Sequence, residues 1–305
     1  MSEKFSYSKI DIFSQCGFKY KLRYVDKHFV DTSGLATELG TAIHETEETI
    51  ANRIKAKEPI NYIHLKNKLL LTLCELEHKY ATSFQERDKS GRTPKLKIFG
   101  YLSSGIYRLE KFLMANNHLE VVATEKEFNF TYNNVVFHGF IDRILYDHHN
   151  KKYIVQDIKT YAVPVDKKNL TTPLQFVIYT LAMKELYGIS EDQVTCSYDL
   201  PFCDIIQPAG TAGYMSRGTK KLDELLQGIN DQEFAPNPSP LCHWCEFCPT
   251  NPTQCEEAKN LCPYHSWWTK ENKTFQQAAV WRGLENHEDV LLNYLVRQNS
   301  TSNIV

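Results

Sequence analysis

Apolar positions recur at helical spacing through the first part of the chain and at strand spacing further on. Ser6 or Ser8 can cap a helix running to about Tyr24, with Ile10, Phe13, Tyr20 and Tyr24 among its apolar positions. A second helix is predicted from Gly40 to about Lys57. Two more are predicted over 62–84 and 97–116, with Leu69, Leu73 and Leu76 on one stripe. The polar stretch Gln85–Lys95, with Gly91 and Pro94, is a loop between them. Val121–Tyr132 and Val135–Leu145 have strand composition, and Asn133-Asn134 between them suits a hairpin turn. Tyr153–Lys159 is a third strand, Thr171–Tyr187 a helix stopped by Gly188, and Val194–Leu200 a further strand. A short helix over Lys220–Asn230 is followed by Pro236, Pro238 and Pro240, which interrupt the chain. One last helix is expected at about Glu285–Arg297. Helices, then paired strands, then a strand–helix–strand unit predict an α/β (α+β) fold with a central mixed sheet flanked by helices.

Composition narrows the function. The 305 residues are 42% hydrophobic and 24% charged, as in ordinary globular proteins. With 35 Lys+Arg against 37 Asp+Glu the net charge is -2, which excludes a wholly basic, histone-like binder but not a locally basic groove. No apolar run of about 18 residues suggests a membrane span, and MSEKFSYSKI lacks the apolar core of a signal peptide. The expectation is a cytoplasmic protein with no membrane partner. Five of the nine cysteines, Cys242, Cys245, Cys248, Cys255 and Cys262, fall in one short stretch. In such a chain that clustering points to metal ligation rather than to disulfides.

Other chemistry lies on the strands. Period-two alternation puts Tyr153, Val155, Asp157 and Lys159 on one face. Taken alone, Asp157-x-Lys159 is a strand end reaching solvent. On the preceding strand, Val136, His138, Phe140 and Asp142 alternate onto one face, and Gly139 suggests a close backbone approach. Asp142 beside Asp157 sets two carboxylates against each other unless a cation lies between them, and oxygen ligands suit Mg²⁺ or Mn²⁺. Lys159 then either orients a water and neutralises developing charge, or forms a structural salt bridge with one of the acids. His44, one helical turn after Gly40, would complete an Asp/Asp/His site; on its own it is an ordinary surface histidine. Gln175 and Tyr179 are four apart on a helix, so they share a face. They suit hydrogen bonding and stacking on nucleic acid, or a packed face with a polar rim.

In this order, Gly40-x-x-x-His44, Gly139-x-x-Asp142, Asp157-x-Lys159 and Gln175-x-x-x-Tyr179 resemble the PD-(D/E)xK nuclease superfamily, and more narrowly its RecB/Cas4-type branch. The opening Phe5-Ser6-Tyr7-Ser8-Lys9-Ile10-x-x-Phe13-x-x-Cys16-x-x-Lys19-Tyr20 is similar to that branch's first helix. The resemblance covers about Phe5 to Tyr264. It implies a restriction-endonuclease-like core with an N-terminal helical region and a C-terminal cysteine cluster. The corresponding division is a nuclease domain over 1–265, with a helical insertion at 45–118 and a cysteine-rich segment at 236–265, then a tail over 266–305.

The resemblance further implies metal binding by His44, Asp142, Asp157 and the Ile158 carbonyl, and catalysis by Lys159 with Asp157 and Asp142. It implies substrate contact by Gln175 and Tyr179. It also implies a [4Fe-4S] cluster on Cys16, Cys242, Cys245 and one more cysteine. Leu261-Cys262-Pro263-Tyr264 looks most like the closing ligand, with Cys248 and Cys255 as alternatives; the gap before Cys262 is longer than the family's. A structural Zn²⁺ on Cys242, Cys245, Cys248 and Cys255 is the rival.

The implied function is Mg²⁺- or Mn²⁺-dependent hydrolysis of DNA phosphodiesters, as a single-strand-acting exonuclease in DNA processing or recombination. Stand-alone chains of this kind are similar to phage nucleases and to those of CRISPR adaptation, so the cytoplasm would be the host's if the protein is viral. A helicase or recombination partner would be separate, since no G-x-x-x-x-G-K-[ST] loop occurs. The alternative is a non-catalytic or partner-dependent DNA-binding module of a recombination or CRISPR-adaptation complex, against which stands the presence of every acid. No feature of the sequence reads a 2′-hydroxyl, as an RNA-directed enzyme requires.

Overall fold

A computed structural model describes residues 4–28, 34–239, 241–242, 245–247 and 261–262. Cys248, Cys255, Pro263, Tyr264 and the helix expected at 285–297 lie outside the described residues. In chain order the elements are β1 (Lys4–Phe5), α1 (Tyr7–Gln15), α2 (Gly17–Tyr20) with a π-helical turn (Lys21–Val25), α3 (Leu35–Lys55), α4 (Tyr62–Lys79), α5 (Pro94–Ser103) and α6 (Arg108–Ala115). There follow β2 (Leu119–Tyr132), β3 (Val135–Asp147), β4 (Lys152–Ile158), α7 (Lys167–Leu170), α8 (Leu174–Tyr187), β5 (Val194–Leu200), β6 (Ile205–Ala209) and α9 (Tyr214–Asn230). Among the described residues no helix is long and apolar enough to cross a membrane.

The chain divides into two compact units. The first, Met1–Ser6 with Ser33–Lys220, holds a six-stranded mixed sheet. β3 is its hub: antiparallel to β2 along its length, parallel to β1 at Val136–Phe137 and antiparallel to β4 from Arg143 to Asp147. β4 and β5 run parallel, joined through α8, and β6 closes the edge antiparallel to β5. The expected α/β class is therefore observed. The β2–β3 turn is made by Asn133 and Asn134, both in the left-handed region at φ 47° and 62°, the pair of conformations a two-residue hairpin demands. β6 escaped the sequence reading because Pro208 speaks against a strand, yet an edge strand tolerates the missing N–H.

The predicted stripe Leu69, Leu73 and Leu76 is buried, at 2%, 3% and 4% exposure, in a core that α3 to α6 form with Val121, Leu145 and Phe202. Each such side chain contributes about 1.5–3 kcal/mol of burial. α8 is buried on all sides from Leu174 to Thr180 and reaches solvent at Lys184 and Glu185, and Gly188 ends it at φ 62°.

The second unit, Tyr7–Thr32 with Lys221–Val305, corrects one expectation. The helix expected to run on to Tyr24 breaks at Cys16, which is extended at φ −162° and whose thiol accepts the Lys19 N–H at 3.4 Å as a cap for α2. Gly17 fits because the returning chain passes close by: a Cβ there would lie 2.8 Å from the Glu233 carbonyl oxygen. Phe13 and Tyr20 meet edge to face and Phe234 stacks on Tyr20, closing this small core.

Candidate active site

The β3–β4 ladder ends at the Arg143–Gln156 pair, and the next two residues are Asp142 and Asp157. Here a side chain replaces the ladder: Asp142 Oδ2 accepts the Ile158 N–H at 2.6 Å. On α3, His44 Nδ1 lies 3.8 Å from the same carboxylate oxygen. Gly40, one turn earlier, faces Thr160 just past β4; a Cβ there would be 3.5 Å from Thr160 Oγ1, an ordinary contact, so packing does not demand the glycine. Gly139 serves a different purpose from the expected backbone approach. A Cβ would fall 2.7 Å from Phe128 Cζ, so the glycine makes room for a ring on the paired strand.

Glu125, absent from the sequence reading, completes the group. On β2 it falls between Thr124 and Lys126, which pair with Arg143 and Ile141 around Asp142. Its backbone is left-handed, φ 42°, inside a strand. Non-glycine residues rarely adopt that conformation, and it costs stability of the kind found at functional sites. One ligand atom each of His44, Glu125 and Asp142 lie within 4.8 Å of one another. The only sequence signal was an acid within strand composition, and Glu127 offered the same signal.

Asp157 is 1% exposed. Its Oδ2 is ion-paired with Lys159 Nζ at 2.5 Å, and its Oδ1 accepts Gln175 Nε2 at 2.7 Å and the Tyr179 hydroxyl at 3.4 Å. Gln175 also donates to the Tyr179 oxygen at 2.9 Å. This departs from the expectation of direct substrate contact: Gln175 and Tyr179 are buried, at 8% and 5%, and hold a carboxylate. The shared helix face predicted from their spacing is present; what it meets is Asp157. The Lys159 N–H in turn donates to the Asp199 carbonyl at 2.9 Å.

Crowding shows in the protonation equilibria. Burial, then repulsion from Asp142 and Glu48, pushes the Glu125 carboxyl up to about 7. Burial pushes Asp157 up to about 6, with Lys159 pulling it down and Asp142 pushing it up. Burial opposes the charge on Lys159, yet Asp157 and Asp142 outweigh it and raise the lysine, which stays an ammonium at neutral pH. A cleft of about 780 Å³ opens here, with Gly40, His44 and Glu48 of α3 on one wall and Glu125 and Lys159 on the other. One imidazole and several carboxylates around an accessible space form a donor set that fits a hard divalent cation.

Two results are expected from these shifts. Glu125 and Asp157 bind protons more tightly in the fold than in the unfolded chain. The stability they give the metal-free protein is therefore full below about pH 4 and lost as the pH rises through about 6 to 7. Protons and metal compete for the same oxygens, so Mn²⁺ should raise the Tm little at about pH 5.5 and clearly at about pH 8; an increment independent of pH contradicts this. Glu125→Gln should weaken Mn²⁺ binding at least tenfold, since even partners outside the coordination shell are worth about 10–100-fold. Above about pH 7, where the Glu125 carboxyl is ionised, it should raise the metal-free Tm, because a repelled carboxylate is gone. Calorimetry and melting in EDTA measure both, and unchanged Mn²⁺ affinity removes Glu125 from the site.

The second unit gathers the cysteines. Cys16 Sγ accepts the N–H groups of Lys19 and Asn237, both at 3.4 Å, and Cys242 Sγ accepts that of Ser239 at 3.3 Å. Cys245 and Cys262 pack with Phe18 and Leu261 around buried Leu22 and Phe247. Burial pushes the Cys245 thiol up to about 12. Between Cys245 and Phe247, Glu246 is 5% exposed and ion-paired with Lys19 at 2.8 Å and Arg23 at 3.0 Å. These contacts bring four of the predicted cysteines into one unit, with backbone N–H donors on the sulfurs of Cys16, Cys242 and, from Phe247, Cys245.

The model of the PD-(D/E)XK nuclease superfamily matches residues 4–256, and the chain belongs to that superfamily. Its members are metal-using nucleases, which makes DNA the implied substrate and agrees with the donor set between α3 and the sheet. No curated protein matches the chain. Among solved structures, a "Putative exonuclease" from Eubacterium rectale is 11% identical with a TM-score of 0.43, over 80% of this chain and 87% of that one. The protein SSO0001 is 18% identical with a TM-score of 0.27, over 60% of this chain and 80% of that one.

Proposed function

We propose that this nuclease is a Mg²⁺- or Mn²⁺-dependent deoxyribonuclease acting as an exonuclease on single strands, of the RecB/Cas4-type branch, with a [4Fe-4S] cluster in its second unit. The observation that carries the catalytic reading is the convergence of His44, Glu125 and Asp142 beside the Asp157–Lys159 pair at an open cleft. His44, Glu125, Asp142 and Asp157 are the residues that hold the cation, with the Ile158 carbonyl as a further donor. The bound ion supplies an activated water and a polarised phosphate. Lys159, kept charged by Asp157, neutralises the charge that develops on the phosphate oxygens. Gln175 and Tyr179 fix the Asp157 carboxylate, so the acid and the lysine arrive already oriented. Cys16, Cys242, Cys245 and Cys262 are the proposed cluster ligands; thiolates and backbone N–H donors to sulfur suit an iron–sulfur centre.

The test is cleavage of labelled DNA, linear strands labelled at one end and circles labelled internally, with Mn²⁺ against EDTA. Linear single strands should be shortened from an end in Mn²⁺ only, duplexes more slowly, and circular single strands not at all. Cutting of the circle makes the enzyme an endonuclease, preference for RNA changes the substrate, and no cleavage of any strand refutes the proposal.

A further inference from the structure

Behind the site lies a second constellation of charges that the mechanism above does not use. Glu47, Arg108, Arg143 and Asp199 are 1%, 7%, 1% and 0% exposed. Arg108 binds Asp199 at 2.6 Å, Arg143 bonds the other oxygen of the same carboxylate, and both guanidinium groups lie 3.5 Å from Glu47 Oε2. The Tyr101 hydroxyl donates to Glu47 at 2.7 Å, and Arg143 Nε donates to Gln156 Oε1 at 2.8 Å. Two arginines thus face two acids, and burial, opposed by Arg108, pushes the Glu47 carboxyl up.

Stability is a weak reason for such a network, because apolar side chains of similar volume often serve as well. Its placement suggests another. Glu47 stands one helical turn after His44 on α3. Arg143 follows Asp142 on β3, and Gln156 precedes Asp157 on β4. The Asp199 carbonyl on β5 accepts the Lys159 N–H. Glu47, Arg143, Gln156 and Asp199 are therefore each tied, along one element or across one backbone hydrogen bond, to a different side chain of the site, and Arg108 on α6 bridges Glu47 and Asp199. An apolar contact lets a helix slide over a sheet at little cost, whereas directional hydrogen bonds of a planar guanidinium do not.

We infer that the Glu47–Arg108–Arg143–Asp199 network is a positioning device that sets the register of α3 against β3, β4 and β5 and so the spacing of His44, Asp142, Asp157 and Lys159. This rests on the metal-dependent nuclease reading. Its members are positioning residues, acting through the groups that meet metal and substrate.

The test uses Arg143→Lys, which keeps the charge and loses the fork, and Tyr101→Phe, which removes one bond to Glu47. Leu69→Ala, in the same core but away from the network, is the reference for stability loss alone. All are measured well below their melting temperatures, by Mn²⁺ electron paramagnetic resonance and by single-turnover cleavage. Arg143→Lys should weaken Mn²⁺ binding and slow cleavage about 10–100-fold, the usual range for groups that orient ligands. Tyr101→Phe should do the same to a smaller degree, and Leu69→Ala should change neither beyond about twofold. If Arg143→Lys and Tyr101→Phe change Mn²⁺ binding no more than Leu69→Ala does, the network is only structural and the inference falls. A parent that binds Mn²⁺ but does not cleave refutes the nuclease reading and leaves the binding ratios to decide this one. A parent that does neither refutes both.

Discussion

Replacing Lys159 with alanine is expected to slow cleavage about 100–1000-fold, the loss found when one preorganised donor to developing charge is removed. The ammonium lies 2.5 Å from Asp157 and borders the cleft. It acts on charge that appears only in the transition state, so the rate should fall more than the affinity for DNA. One complication follows from the geometry. Lys159 is the main influence that lowers the Asp157 carboxyl, so its removal pushes that acid above its present value of about 6. Metal binding by Lys159→Ala is therefore best compared with the parent at about pH 8, where proton competition for Asp157 is weaker than at neutral pH and Mn²⁺ affinity should stay within a few-fold. Lys159→Arg keeps the charge and should recover part of the rate. Activity of Lys159→Ala within threefold of the parent would exclude the lysine from the mechanism.

Cys16→Ala is expected to have the largest effect on folding. Even without metal, the thiol caps α2 and accepts an N–H from Asn237, 221 residues further along the chain. Loss of a cap alone costs about 1 kcal/mol. If Cys16 is also a cluster ligand, the variant loses a link that closes a very long loop and much of the binding free energy that a metal lends to folding. Anaerobically purified parent should be brown with about four irons per chain, and Cys16→Ala, Cys242→Ala and Cys245→Ala should be pale and melt earlier. Cys262→Ala should match them; if it does not, Cys248 and then Cys255 are the next to replace. A colourless, zinc-loaded parent whose metal survives Cys16→Ala would overturn the iron–sulfur proposal, because a local zinc site draws on nearby Cys-x-x-Cys pairs. The nuclease proposal would stand, since its residues lie in the other unit.

Period-two alternation along Tyr153–Lys159 and the spacing of Gln175 and Tyr179 depend on geometry within one element, and both relations are present in the folded chain. So are the Leu69, Leu73 and Leu76 stripe, the asparagine turn and the order of helices and strands. In each of these the relevant distance is a few residues of regular backbone, which local composition specifies. Glu125 is different: its left-handed backbone breaks the alternation that would have assigned its face, and it is held in place by the pairing of its neighbours Thr124 and Lys126 with β3. The partners of Asp157 came from a helix whose docking no local pattern specifies. The Glu47, Arg108, Arg143 and Asp199 network joins four elements whose charges, taken one at a time, are ordinary surface residues. Burying an ion is favourable only beside its counter-ion, and that proximity exists only once the elements have packed. Local sequence thus determined the elements and which residues share a face; packing decided which faces meet, and with that the ligand Glu125, the clamp on Asp157 and the charges behind the site.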